Sequence, residues 1–222
     1  MRALAIAMIA ATLILAGSDP ASASDLFVLH GIAGEDIGDG RTLPIDVCVG
    51  QGGLPGLNYR QFVGPFDIPA GRYDFDVRLA SNPICTGPLL VPGTVNIARG
   101  ESATVVAHLT EQRTPTLAKF VNADLRTPSS PWVIVRHLAV SGPIDARLLV
   151  QDSVRSTVTL RNGEQAIIDP GAAVTLRLAL SGSNATLREV SLHAPPGSRA
   201  IILSVVGTPP THTFGIQVDI LP

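Results

Sequence analysis

The sequence predicts an all-β protein: two tandem immunoglobulin-like β-sandwich domains after an N-terminal signal peptide. Three observations carry the prediction. Apolar Tyr73, Phe75, Val77 and Leu79 alternate with Arg72, Asp74, Asp76 and Arg78, the period of a half-buried strand. Helical periodicity is nearly absent beyond residue 23. A set of short motifs also recurs in order further along the chain. His30, Pro44-Ile45-Asp46, Pro69-Ala70-Gly71 and Ala98-Arg99-Gly100 return as His137, Pro143-Ile144-Asp145, Asp169-Pro170-Gly171 and Pro195-Pro196-Gly197. The offsets are 107, 99, 100 and 97, so only loop lengths separate the copies.

The chain opens with Met1-Arg2, an apolar run from Ala3 to Ala16, and Ala21-Ser22-Ala23. This reads as a secretory signal peptide, 1–23, cut after Ala23. The run falls short of the ~20 residues that span a bilayer. Leu15-Ala16-Gly17 resembles the start of a lipoprotein box, but Ser18 stands where the lipidated Cys would be. The expectation is therefore a mature chain without a membrane span, secreted or periplasmic.

Strands of the first repeat, 24–126, are expected at Leu26–His30, Ile45–Val49, Tyr59–Val63, Arg72–Leu79, Val91–Ile97, Ala103–Leu109 and Leu117–Asn122. The second repeat, 132–222, repeats them at Trp132–Val140, Ile144–Val150, Val154–Leu160, Ala173–Leu180, Thr186–His193, Ala200–Val206 and Thr213–Ile220. In the Ala173 strand, Val174, Leu176, Leu178 and Leu180 form the face expected to be buried. Seven short strands per copy, punctuated by Pro and Gly, fit a sandwich, with a closed barrel as the alternative. Pro-Ala-Gly and Asp-Pro-Gly before the fourth strand read as turns in which proline fixes φ and glycine supplies a positive φ. Residues 127–131, Thr-Pro-Ser-Ser-Pro, read as a short linker permitting limited hinge motion.

Composition narrows function. Net charge is -2, the 16 basic residues are scattered, and Lys119 is the only lysine, so nothing points to nucleic acid. Cys48 and Cys85, both in the first copy of an exported chain, are expected to form a disulfide worth about 4 kcal/mol in the chain-entropy model. A redox role would call for a C-x-x-C pair. The chain has no G-x-S-x-G, no H-E-x-x-H and no phosphate-binding glycine loop.

The residues with chemical potential are His30 with Asp46 and His137 with Asp145. A carboxylate orients an imidazole for metal binding or proton transfer, so each pair admits a metal-dependent or hydrolytic site. The other reading is a buried His–Asp hydrogen bond that pins the first loop, and the lack of a third ligand at metal spacing favours it. Neither a metal nor a cofactor is expected. His108, His193 and His212 read as surface or rim residues. Gly50-Gln51-Gly52-Gly53-Leu54-Pro55-Gly56-Leu57-Asn58 reads as a flexible loop, either a connector or a place where a ligand is recognised. Asn184-Ala185-Thr186 matches a glycosylation sequon that a bacterial chain would leave unmodified.

Leu29-His30-Gly31-Ile32-Ala33-Gly34, Leu43-Pro44-Ile45-Asp46-Val47, Ile68-Pro69-Ala70-Gly71-Arg72-Tyr73 and Thr104-Val105-Val106-Ala107-His108-Leu109 resemble the bacterial family catalogued as domain of unknown function 4397. Lys119-Phe120-Val121-Asn122, followed by Val133-Ile134-Val135-Arg136-His137, is similar to the join between that family's tandem copies. The resemblance runs from about Asp25 to Pro222. It implies an exported β-sandwich of the envelope or extracellular space, a cysteine pair where Cys48 and Cys85 fall, and no established activity. The second copy departs from the pattern in its Asp-Pro-Gly turn, its Ala172-Ala173 strand start and its lack of cysteines. The function expected is non-catalytic: a structural or binding module whose partner is an envelope or extracellular protein or glycan.

Overall fold

A computed structural model describes residues 24–39, 42–122, 131–171 and 175–221. The expected signal peptide, nearly all of the expected linker and the Ala172-Ala173 strand start lie outside them. Within them the chain is all-β. The first half forms β1 (Ser24–His30), β2 (Ile45–Val49), β3 (Gly52–Leu57), β4 (Phe62–Ile68), β5 (Gly71–Leu79), β6 (Leu89–Ile97), β7 (Ser102–Leu109) and β8 (Pro115–Val121). The second half forms β9 (Trp132–His137), β10 (Ile144–Val150), β11 (Ser153–Leu160), β12 (Glu164–Ile168), β13 (Thr175–Leu180), β14 (Thr186–Ser191), β15 (Ala200–Val206) and β16 (Gly215–Leu221).

These strands make four sheets of four, ordered β4-β1-β7-β8, β3-β2-β5-β6, β12-β9-β15-β16 and β11-β10-β13-β14. Adding eight to each number in the first two gives the last two, so the same topology is built twice. Each copy has eight strands where seven were expected. The extra ones are β3, from the glycine-rich segment read as a flexible loop, and β12. The backbone of Gly52–Leu57 pairs with β2 across a register shift between Ile45 and Val47, despite carrying Pro55 and three glycines.

Two apolar cores each fill one sandwich. Val28, Val47, Phe75, Val77 and Val105 lie in the first, and Val135, Leu148, Leu176, Leu178 and Leu203 in the second. Two further clusters join the halves. Phe27 and Phe62 pack with Ile134, Ile202 and Leu221, while Leu29, Val106 and Phe120 pack with Leu138 and Val206. The β1-containing sheet therefore lies face to face against the β9-containing sheet, and the layers run outer, inner, inner, outer.

This layering explains the sequence of each strand. In the outer sheet, β5 buries Phe75 and Val77 and leaves Arg72 and Asp74 exposed. The inner strands β7 and β15 are buried on both faces, and β15 reads as an apolar run broken at Ser204, while β7 carries Thr104 and His108 among its apolar residues. Their neighbours β1 and β9 pair with them in parallel, the arrangement expected of strands covered on both sides. The expected buried face of β13 holds at Leu176 and Leu178 but fails at Leu180, which is 40% exposed. Leu180 is the last residue of the strand, and Val174, expected on the same face, lies outside the described residues. Gly171, Gly100 and Gly197 take the positive φ expected of turn glycines. Gly71 does not, and serves as the first residue of β5.

Candidate functional site

His30 ends β1, and its side chain is fully buried. Its Nε2 donates to the Leu43 carbonyl at 2.7 Å, and its Nδ1 faces the Ile32 N–H at 3.4 Å. Burial drives its pKa down to about 4, against a smaller upward pull from the Leu43 hydrogen bond. His137, its counterpart at the end of β9, repeats the arrangement. Its Nε2 meets the Gly142 carbonyl at 3.1 Å and its Nδ1 the Ala139 N–H at 3.4 Å, and burial lowers its pKa as well. In both copies a neutral imidazole clips the loop that leads into the next strand.

The aspartates do not join them, which corrects the expected His–Asp pairing. Asp46 is 1% exposed and accepts hydrogen bonds from Gly56 N at 3.0 Å, Ser81 N at 3.1 Å, Ser81 Oγ at 3.3 Å and Cys85 N at 3.0 Å. The register shift beside Ile45 turns the Gly56 N–H toward it. Asp145 accepts from Thr159 Oγ1 at 2.8 Å and from Arg147 Nη2 at 3.1 Å. The Thr159 hydroxyl is the main reason that its pKa is lowered. Loop pinning is thus real but divided: imidazoles hold carbonyls, and carboxylates hold N–H and O–H groups.

Cys48 and Cys85 form the expected disulfide, with Cα atoms 6.0 Å apart. Asp46 holds the Cys85 backbone, and Gly53 of β3 lies beneath the bridge. A Cβ on Gly53 would stand 2.9 Å from Cys85 Sγ and 2.9 Å from the Val47 carbonyl. The glycine is thereby tied to the sulfur that covers it, and the segment read as an unconstrained connector is fixed by pairing and by the bridge.

His108 corrects a second expectation. It lies on the inner face of β7, is 2% exposed, and bonds the Leu109 carbonyl through Nδ1 at 3.0 Å. Burial lowers its pKa to about 4. His212 is exposed as expected, and its Nε2 lies 2.7 Å from Glu35 Oε2 in the other half. His193 is exposed, as expected of a surface residue.

The polar groups that the sequence reading passed over lie between the inner sheets. Gln165, Arg136, Ser204 and Gln217 are register partners across β12, β9, β15 and β16, so they form one row on one face. The equivalent row of the first copy, Phe62, Leu29, Val106 and Ala118, is apolar. Arg136 is fully buried. Its Nη2 donates to Asn122 Oδ1 at 2.5 Å and its Nε to Gln165 Oε1 at 3.3 Å, and its guanidinium carbon sits 5.1 Å from the Phe120 ring centre. Burial lowers its pKa to about 9, which leaves it a cation at neutral pH. Two residues beyond Gln217, Asp219 has its pKa raised by burial to about 6, with Arg136 pulling the other way.

At one end of this interface Tyr59 donates to the Thr213 carbonyl at 2.6 Å, Thr213 Oγ1 donates to Asp36 Oδ1 at 3.0 Å, and Arg60 Nη2 approaches the Ile216 carbonyl at 3.4 Å. Burial is the main cause of the raised pKa of the Tyr59 hydroxyl. At another point Asn162 Nδ2 bridges the Leu109 and Ala139 carbonyls. A lone arginine inside the apolar run Trp132–His137 was the signal in the sequence for the polar groups of this layer.

Among the described residues no group of three or more His, Cys, Asp or Glu side chains is placed to hold a metal ion. Comparison with known proteins adds a family. Residues 26–147, the first sandwich with β9 and the start of β10, match the family model described as Domain of unknown function (DUF4397). No curated protein matches the chain.

Proposed function

The chain belongs to the DUF4397 family, a domain of unknown function, and from that premise we propose that it is an exported, non-catalytic module of the bacterial envelope or extracellular space. Its role is structural, or the binding of a protein or glycan through loops and strand edges on the outer layers. One observation carries this reading. The recurring histidines each hold backbone of their own copy, in duplicate, with the imidazoles enclosed and neutral, and each aspartate is taken up by donors of its own copy: backbone N–H groups at Asp46, the Thr159 and Arg147 side chains at Asp145. An acid–base or metal-binding histidine needs a nitrogen turned toward a reactant or an ion. His30 and His137 have both nitrogens facing backbone groups. The disulfide supports export, since such bridges persist in oxidising compartments.

The test is metal analysis of the purified protein beside a His30→Ala variant. The expected result is no stoichiometric metal in either. Zinc at one ion per chain that is lost on substitution would replace this reading with that of a metal-dependent enzyme. Fractionation of the native host should place the chain outside the inner membrane, and recovery only from cytoplasm would refute export.

A further inference from the structure

The two copies differ at one edge. β8 and β16 occupy the same place, last in the sheets β4-β1-β7-β8 and β12-β9-β15-β16. β8 is protected. It begins on Pro115, lies against β6, and its Lys119 reaches across to the Asn96 carbonyl at 2.8 Å and Glu101 Oε1 at 2.6 Å. Proline, lysine and a covering strand are the ordinary means of blunting a sheet edge.

β16 has no such proline, lysine or covering strand; Arg60 of the first sandwich reaches only its start, at the Ile216 carbonyl. Its seven residues, Gly-Ile-Gln-Val-Asp-Ile-Leu, pair with β15 without a register shift and make no comparable approach to β14. Val218 stands where β8 has Lys119: Leu203 pairs with Val218 as Val105 pairs with Lys119. Val218 and Ile220, on the same face, are each 42% exposed. The only charged side chain of the strand, Asp219, points to the opposite face, toward the first sandwich. An unbroken strand with an open edge and exposed apolar residues is a template for another strand.

We propose that β16 is a docking edge for a second copy of this chain, with the two β16 strands pairing antiparallel about a two-fold axis through Val218. The sequence of the strand selects both occupant and register. About Val218, Ile216 faces Ile220 of the other copy, Val218 faces itself, and Gln217 faces Asp219, an amide donor opposite a carboxyl. Shifting the axis to Asp219 would set two carboxyl groups directly opposite each other, which is unfavourable. Shifting it to Gln217 would leave Ile220 unpaired. The two β12-β9-β15-β16 sheets then become one continuous eight-stranded sheet with closed two-fold symmetry. A single strand pair lies at the small end of interface sizes, so the dimer is weak and depends on concentration.

Sedimentation of the mature chain from about 1 to about 200 μM should show its mean mass rising toward twice the monomer value. Val218→Lys, which installs the residue found at the same place in the first copy, should hold the mass at one chain throughout, with an unchanged melting temperature. Val218→Cys should give a disulfide-linked dimer on mild oxidation, because the axis sets the two thiols opposite each other. A wild-type chain that stays monomeric at the highest concentration overturns the proposal. So does a Val218→Lys chain that associates like the wild type, or a Val218→Cys chain that forms no interchain disulfide. A failure here leaves the non-catalytic reading standing, since that reading requires no second copy.

Discussion

Arg60 of the first sandwich occupies the space in which Gly215 of the second would place a side chain. A Cβ built on Gly215 comes 1.6 Å from Arg60 Nη2 and 2.6 Å from its guanidinium carbon. The glycine lets the guanidinium lie along the start of β16 and reach the Ile216 carbonyl, beside the Tyr59 to Thr213 hydrogen bond. The two halves are therefore fitted to each other at the level of single atoms, beyond their shared apolar clusters.

Gly215→Ala should cost about 1 kcal/mol by displacing Arg60, whose flexible side chain can move aside only by giving up that carbonyl. In an Arg60→Ala background the same substitution should cost less than about 0.5 kcal/mol. Urea unfolding of the four chains reads the coupling. An equal cost in both backgrounds would show that the methyl group meets something other than Arg60.

Asp46→Ala should be the more damaging of the two aspartate substitutions. It strands three part-buried backbone N–H groups, those of Gly56, Ser81 and Cys85, where Asp145→Ala frees side-chain donors of Thr159, Arg147 and Ser181. A loss of about 3 kcal/mol is expected at Asp46, with roughly half of that at Asp145. Because His30 and Asp46 have separate partners, the cost of His30→Ala should add to that of Asp46→Ala within about 0.5 kcal/mol. A coupling of several times that size would restore the His–Asp pair that the structure denies.

Acid should weaken the fold between pH 6.5 and 4. The unfolded chain takes up protons on His30, His108 and His137 as pH falls through 6.5, while the folded chain, with His30 and His108 lowered to about 4 and His137 lowered too, refuses them. Stability is thus full above 6.5 and lost on the way down to 4, by about 3 kcal/mol for each of His30 and His108. Asp219 works in the other direction. Raised to about 6, it favours the folded chain at low pH, and that contribution fades as pH rises through 6. Three imidazoles outweigh one carboxyl, so the urea midpoint should fall between pH 7 and pH 4.5. A midpoint that holds or climbs would mean that the imidazoles are not enclosed.

The sequence was most legible where one face of a strand meets water. β5 shows its alternation without ambiguity, and β2, β10 and β15 have the bounds that their apolar runs suggested. It was least legible where local composition and tertiary pairing disagree. Gly52–Leu57 has the residues of a loop, yet its backbone completes a sheet and Gly53 makes room for the disulfide. The Gly56–Asp46 contact depends on a register shift, which period-two reasoning cannot foresee. The motif histidines were located correctly, but the partner of each is a carbonyl, and carbonyls leave no trace in a sequence. The inner layer was visible only in part. Runs such as Val133–Val135 and Ile201–Leu203 are what strands buried on both faces look like, but the reading as hinged domains left their second face uncovered.

Arg136 is the clearest product of that layer, and its replacement separates charge from volume. Nη1 of Arg136, Oγ of Ser204 and Oδ2 of Asp219 are all buried without a hydrogen-bond partner among the described residues, which leave the polar row incompletely satisfied. Asn122 Oδ1, which accepts from Arg136, also accepts from Thr104 Oγ1 at 2.8 Å and would keep that donor. Arg136→Leu, which installs the residue of the equivalent position Leu29, should therefore change stability by less than about 1.5 kcal/mol, whereas Arg136→Ala, which leaves a hole between the sheets, should cost about 3 kcal/mol or more. The guanidinium is also what restrains the rise in the Asp219 pKa. In Arg136→Leu the carboxyl should titrate above its value of about 6, as followed by carboxyl carbon chemical shifts. An unchanged or lower midpoint would mean that the two groups do not share the interface.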